Sequence, residues 1–522
     1  EVLAALAARS QIVWTLEVAV GTPWPERDLR ARLARVGDPG ARAAMLAALA
    51  AVEQRRDAVA AAAGDPGAVA RALDALDDDF VRATGAAPVR RGGETYAGRT
   101  LIYEDCVREL DVVVGDRWLA AVAPALSLLA HSARWYTHAV STRYLALMRR
   151  LHDELRGAHG PSVPFPAFLA AYRPHGRAAP SLRATGCPPL IREIVDDLHA
   201  RWAAILELPD AGRRVGRSAA ELEARVLAQF AAPHGGAPLF RYHSPDVMIA
   251  AASAEAIARG EFLAVLGELH TGNNTISPVF LKEHLERDRL IQARAADLPH
   301  TDVYPVVPKE HQSRATLFTF KDHDVMLELG DAVRAWPRDR VLHPAELLVE
   351  DDGGRLVVRC TRTGRTSELW AVFAYFLLAS STDHYSIVGD RRHTPRVTID
   401  RLVIVRETWR FEARELAWCR HKRPVERFAA MHRWMRAHQL PRFVFVKVPS
   451  EKKPFFTDLY SVELAEIFAL EVGRAESVQL TEMLPGPDQV WLADPDGGRY
   501  VSELRLVLRD DRQGFGAPEG ER

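Results

Sequence analysis

The chain is poor in cysteine. Its 522 residues hold four, Cys106, Cys187, Cys360 and Cys419, and no two stand at CxxC spacing. That excludes a zinc ribbon and a thioredoxin-type redox motif, and it suits a reducing cytoplasm. Long apolar runs are lacking too. The best, Trp370 to Ala379, falls far short of the about 20 residues a membrane-spanning helix needs. A membrane-embedded transporter is therefore excluded. Charge of one sign is missing: 68 Lys plus Arg stand against 69 Asp plus Glu, a formal net charge of -1. With 48% hydrophobic and 26% charged residues the composition is globular. It excludes a disordered tail, a collagen-like fibre and a uniformly basic binder. There is no GxxxxGK[ST], GxGxxG or GxSxG, and none of the 19 histidines sits in HExxH. No bound cofactor or metal is therefore expected. No signal peptide precedes the helix-like run from Glu1 to Ala8, which reads as a chain whose natural start lies upstream.

What is present is an uneven distribution of pattern. Residues 26–36 and 41–63 carry apolar residues at helical spacing and break at Gly37-Asp-Pro-Gly and Gly64-Asp-Pro-Gly. The stretches Thr100-Leu-Ile-Tyr and Leu110-Asp-Val-Val-Val read as a strand pair. Long helices follow over 118–155, 190–206 and 219–231. From about Asp246 short strands and helices alternate: strands at 262–267, 303–307, 315–320, 356–359, 395–404, 442–448 and 500–508, helices at 279–296, 424–438 and 462–472. The fold class is α+β and multidomain, a helix-rich N-terminal part followed by a mixed α/β part. The expected division is 1–240, 241–510 and a frayed tail, 511–522.

Local charge says more than the total. Between Asp390 and Lys453 stand 17 Lys plus Arg and 7 Asp plus Glu, a net of +10, so the remainder carries −11. Trp409, Trp418 and Trp434 lie in the same stretch. Cations among aromatics suit a phosphate backbone with exposed bases. The competing reading pairs these arginines with carboxylates from the acidic remainder. His421, His432 and His438 read as solvated.

Five segments together carry a family likeness: Thr95-Tyr-Ala-Gly-Arg-Thr-Leu-Ile-Tyr-Glu-Asp-Cys, Gly267-Glu-Leu-His-Thr-Gly-Asn-Asn-Thr, Pro395-Arg-Val-Thr-Ile with Glu407-Thr-Trp-Arg, Arg442-Phe-Val-Phe-Val-Lys-Val-Pro with Lys453-Pro-Phe-Phe-Thr-Asp, and Glu482-Met-Leu-Pro-Gly-Pro-Asp-Gln-Val-Trp-Leu. In this order the chain resembles the N-terminal, tRNA-dependent glutamylation region of the lantibiotic dehydratases. It looks closest to short thiopeptide-type members and to peptide aminoacyl-tRNA ligases. The resemblance implies a transferase that passes glutamate from glutamyl-tRNA to Ser or Thr of a ribosomal precursor peptide. The alternatives are a ligase extending a peptide C-terminus and a non-catalytic peptide- and tRNA-binding fragment. It further implies aminoacyl-tRNA as co-substrate, a precursor peptide and a separate elimination-domain protein as partners, and a cytoplasmic setting. Whether the chain forms a homodimer stays open. An Arg- and Thr-containing N-terminal motif of the family has no counterpart here, so the chain is expected to be incomplete.

Candidate residues follow from these segments. Asp105, where the family has a carboxylate after a strand, is expected to orient the substrate or act as base. Glu104 competes, since strand alternation points only one of the two inward. Arg99 is expected to hold a phosphate or the aminoacyl carboxylate. His270, Asn273 and Asn274 end a strand and are expected to bind substrate. Arg396, Arg410, Lys447, Lys452 and Lys453 are expected phosphate contacts of tRNA.

Overall fold

The computed structural model describes residues 2–8, 18, 24–89, 100–102, 106, 108, 110–176, 186–209, 212–275, 284–306, 321, 323–329, 336–451, 453–512 and 514–515. The chain forms two compact units. One takes residues 1–108, 148–185 and 276–379, the other 109–147, 186–275 and 380–522. The architecture is α+β, with helices and several small sheets. Among the described residues no helix is long and apolar enough to cross a membrane.

The first unit opens in helices Val2–Ala8 and Pro25–Leu33, followed by the Ala-rich helices Pro39–Ala61 and Pro66–Thr84. Each Gly-Asp-Pro-Gly is a helix start. Proline takes the first turn, where its missing N–H costs nothing, and the aspartate before it caps. Asp38 accepts the Ala41 N–H at 2.8 Å and Asp65 the Ala68 N–H at 2.9 Å. An antiparallel sheet of Val163–Pro164, Leu347–Asp352, Arg355–Cys360 and Thr366–Glu368 turns at Gly353-Gly354, both at positive φ. A parallel trio, Val303–Pro305, Val325–Leu327 and Val341–Leu342, adjoins a buried ion cluster. There Asp302 meets Arg294 at 2.7 Å and Lys321 at 3.2 Å. Burial alone would raise the Asp302 carboxyl, but His300, Arg294 and Lys321 lower it to about 2.

The second unit is built on a seven-stranded mixed sheet. Its order is Arg214–Arg217, Arg396–Ile399, Leu402–Val405, Leu263–Thr271 and Tyr242–Ala250, with Leu504–Arg505 and Leu508–Arg509 both on the last edge. The stretch 395–404, expected as one strand, is a hairpin. Asp400, at φ 51°, turns the chain, a conformation aspartate tolerates better than most. Residues 110–114, expected as a strand, form none, and Val113 is 88% exposed. β-Branched residues favour a strand only where a partner edge meets them.

A second layer of this unit positions the site. Strands β1 (Thr408–Glu412), β2 (Phe443–Lys447), β3 (Phe455–Asp458) and β4 (Ser477–Glu482) join with helices α1 (Pro424–Ala437) and α2 (Val462–Arg474). The sheet order is β1-β4-β2-β3, all antiparallel, with His393–Thr394 added outside β1. So β4 is inserted between β1 and β2, which run parallel to each other across the α1 crossover. Period-two alternation sends Trp409, Phe411, Val444, Val446, Val478 and Leu480 to the helical side, where they pack with Met431, Met435 and Phe468. Each such side chain contributes about 1.5–3 kcal/mol of burial. The opposite side of the sheet holds Arg410, Phe443, Phe445, Lys447, Phe456 and Gln479.

Candidate functional site

Two buried carboxylates organise the basic segment. Glu407 lies just before β1 and has no exposed side-chain surface; Glu482 ends β4 and is 4% exposed. Glu407 accepts Arg213 Nε at 2.8 Å and Nη2 at 3.0 Å, His393 Nε2 at 3.0 Å, and Arg214 Nη1. Glu482 accepts Arg396 through two nitrogens, the Nε at 2.7 Å, and the Glu407 backbone N–H at 2.8 Å. Burial alone would raise the Glu407 carboxyl; its bonds to Arg213, Arg214 and His393 hold it lowered. Three arginines thus surround two carboxylates, and Arg213 and Arg214 keep part of their surface in water.

Beside this cluster lies a cavity of about 310 Å³ lined by Arg391, Arg392, His393, Trp409, Phe411 and His438. The His393 ring lies 5.6 Å from Trp409 and the His438 ring 4.9 Å from Phe411. His438 is exposed, as expected, with one face on Phe411; its imidazole is lowered by partial burial and then by Arg392. His432, expected in solvent, is drawn into packing instead, 4.5 Å from the Phe428 ring. Trp409 and Trp418 are core residues at 5% and 7% exposure, not exposed stacking surfaces. An amphipathic aromatic satisfies a core as readily as a ligand.

A third group sits where two strands of the large sheet lie side by side. His270 Nε2 meets Asp246 Oδ2 at 2.9 Å, and Arg505 Nη1 donates to the same oxygen at 2.6 Å. Arg505 also bridges Glu503 at 2.8 Å. Asp246 is 3% exposed, and its Oδ1 is buried with no partner among the described residues. Asp246 falls at the register shift between Pro245 and Val247. Burial would lower His270, but the bond and charge of Asp246 outweigh it and raise the imidazole above its ordinary value. Arg406 adjoins this group and feels Glu482, Glu268 and Glu503. Ligand atoms of Asp246, Glu268 and His270 lie within 4.8 Å of one another, the metal-like grouping among the described residues. Arg505 already places a cation on Asp246, so a hydrogen-bonded Arg–Asp–His relay fits these residues better than an added ion.

The expected residues are distributed as follows. Asp105, Glu104, Arg99 and Lys452 lie outside the described residues. The Asn273 carbonyl accepts the Ser244 hydroxyl at 2.7 Å, so Asn273 and Asn274 sit in a tied turn after His270. Gly272 there has φ 71°, and a Cβ would stand 2.6 Å from the Phe240 ring. Arg396 is held by Glu482. Arg410 and Lys447 both lie opposite Gln479, on one side of the split sheet. Arg410 pairs with Asp390 at 2.9 Å, and Lys447 Nζ donates to the Glu451 carbonyl. Lys453 lies two residues before β3 and is exposed. Sequence reading missed Asp246, Arg505, Arg213, Arg214 and His393 as site members. Glu407 and Glu482 stood within the quoted segments, but no local signal showed which distant arginines they gather.

The sequence profile described as "Lantibiotic dehydratase, N terminus" matches residues 1–454. The chain belongs to that family. Among solved structures, the tRNA-dependent lantibiotic dehydratase MibB from Microbispora sp. 107891 is similar at TM-score 0.60 and 18% identity, over 98% of this chain and 50% of MibB. The glutamylation domain of TbtB from thiomuracin biosynthesis, bound to 5'-phosphodesmethylglutamycin, is similar at TM-score 0.52 and 18% identity, over 85% of this chain and 56% of that one. The same TbtB domain in another structure gives TM-score 0.51 at 18% identity, over 92% and 63%. At that identity these likenesses establish the fold alone. The chain spans about half to under two thirds of the solved chains it resembles. No curated protein matches it.

Proposed function

We propose that this chain is an aminoacyl-tRNA-dependent transferase that glutamylates Ser and Thr side chains of a ribosomal precursor peptide. The observation that carries the reading is the His270–Asp246–Arg505 relay beside the basic segment, in a chain of this family. The TbtB domain binds a glutamycin derivative, which supports a glutamyl-tRNA co-substrate. In the reaction the Ser or Thr oxygen attacks the glutamyl ester carbonyl. A new ester forms, the bond to the tRNA ribose breaks, and the hydroxyl proton ends on the departing ribose oxygen. His270, whose imidazole is raised by the Asp246 bond and charge, offers a proton donor for the oxygen that gains charge, and Arg505 bonds the same Asp246 oxygen. Arg213, Arg214 and Lys453 supply cations for tRNA phosphates. Among the residues of the family-like segments, Asp105 is proposed to orient the substrate or act as base and Arg99 to hold a phosphate or the aminoacyl carboxylate. Dehydration then requires an elimination step, for which a separate elimination-domain protein is the proposed partner, and the proposed setting is cytoplasmic.

The test is incubation with precursor peptide and glutamyl-tRNA, followed by mass spectrometry. One glutamyl residue added per modified hydroxyl, and its loss in His270→Ala, are expected. Extension at the peptide C-terminus would indicate a ligase instead. No adduct, with tRNA and peptide still bound, would indicate a binding fragment.

A further inference from the structure

The split sheet has two sides, and only one is explained by the helices. On the other side Phe443 and Phe445 point outward from β2, since Val444 and Val446 between and beyond them enter the core. Phe456 of β3 lies directly opposite Phe445 and is 41% exposed. The Phe443 and Phe456 rings are stacked, 6.1 Å apart at 23°. Arg442 lies 4.7 Å over Phe443 and 5.1 Å from Tyr460, itself 56% exposed. Phe443 and Phe445 are half-buried and Phe456 is exposed, so this side of two adjacent strands keeps ring surface that a ligand can cover.

The polar groups among the rings indicate its chemistry. Thr481 lies opposite Phe445, and Gln479 opposite both Lys447 and Arg410. Asp458 neutralises Arg442 through two hydrogen bonds, at 2.9 and 2.7 Å, but leaves the guanidinium plane over the rings. Lys447 rests on a carbonyl, a neutral acceptor. Flat rings flanked by Arg410 and Lys447 match unpaired bases strung on phosphates, which offer both cations acceptors beyond Asp390 and the Glu451 carbonyl; an apolar peptide offers them none. Arg406, Thr408 and Arg410 alternate along β1 and its approach, so this side of the sheet leads to the residue beside the His270 group.

We infer that the open side of this sheet, Phe443, Phe445 and Phe456 with Arg410, Lys447 and Gln479, is a stacking platform for a short single-stranded RNA segment, the unpaired 3' end of the tRNA. This rests on the proposed tRNA-dependent reaction. It adds that the terminal bases are held by ring stacking and that the platform binds single-stranded RNA with little sequence preference.

The experiment compares the full chain with Phe445→Ala/Phe456→Ala and Phe445→Tyr/Phe456→Tyr. Binding is measured to whole tRNA, to tRNA lacking its 3'-terminal CCA, and to a short CCA-ended oligoribonucleotide; circular dichroism checks folding. The alanine variant should bind whole tRNA and the oligoribonucleotide about tenfold or more weakly, and the tyrosine variant close to wild type. All three proteins should bind the truncated tRNA alike. Equal binding of whole tRNA by the wild type and a folded alanine variant would overturn the platform even if glutamyl transfer is intact. So would loss of precursor-peptide binding with tRNA binding unchanged, which would mark a peptide surface. Ring-dependent binding by a wild type that transfers no glutamate would uphold the platform and sink the transferase reading.

Discussion

Asp246 gathers Arg505 and His270 on one oxygen, and the consequence is a pH dependence with a definite sign. His270 is raised in the folded chain, so its pairing stabilises the fold fully below the unfolded imidazole value, about 6.5, and is lost as pH rises through the folded value. Asp246→Asn should lower the His270 titration midpoint in an NMR titration and cost more stability at pH 5.5 than at pH 8.5. A midpoint left in place would show that Asp246 does not hold the proton. Glu407 makes a second prediction. Removing it strands Arg213, Arg214 and His393, so Glu407→Ala should cost about 2–3 kcal/mol in urea unfolding. That is below the range for pairs buried on both sides, because the arginine heads reach water. Little of this was legible beforehand. His270 and its loop stood out, but Asp246 lies on a neighbouring strand with no motif around it, and Arg505 is 259 residues away from it in sequence. Ion clusters are assembled by the sheet, and their members leave no mutual spacing.

At the scale of elements the sequence was far more readable, because helical periodicity, proline and capping are local. The two Gly-Asp-Pro-Gly turns and the helices at Pro424 and Val462 stand within a few residues of their expected bounds. The misreadings were about partners. The stretch 395–404 alternates like one strand, and only Asp400 at positive φ shows the hairpin. The tryptophans of the basic segment look like a binding surface but fill the core behind it. Gly272 offers an element-level test. Its φ of 71° and the Phe240 ring leave no room for a side chain, so Gly272→Val should destabilise by about 1–3 kcal/mol and loosen the Asn273 turn. A thermal midpoint equal to wild type would contradict that geometry.

At the scale of the whole molecule, net charge concealed the useful quantity. A chain of charge -1 carries a +10 segment, yet many of its arginines are already matched: Arg396 with Glu482, Arg410 with Asp390, Arg427 with Glu466, Arg442 with Asp458. The acidic remainder and the basic segment therefore meet in part inside the fold, and fewer cations stay available to phosphate than the count suggests. The two units are each assembled from three stretches of chain, which is why composition shows no linker between them. Neutralising Arg213 and Arg214 together should weaken tRNA binding evenly across sequences and flatten its dependence on salt by about two phosphate contacts. An unchanged salt slope would remove these two from the tRNA surface. The most direct test of the proposed activity is mass spectrometry of the precursor peptide after incubation with this chain and glutamyl-tRNA. Glutamyl groups on Ser or Thr, formed by the wild type and lost in a folded His270→Ala, are the predicted result. Peptide modified equally by both proteins would contradict the assignment of the site, and peptide left unmodified by the wild type would contradict the transferase itself.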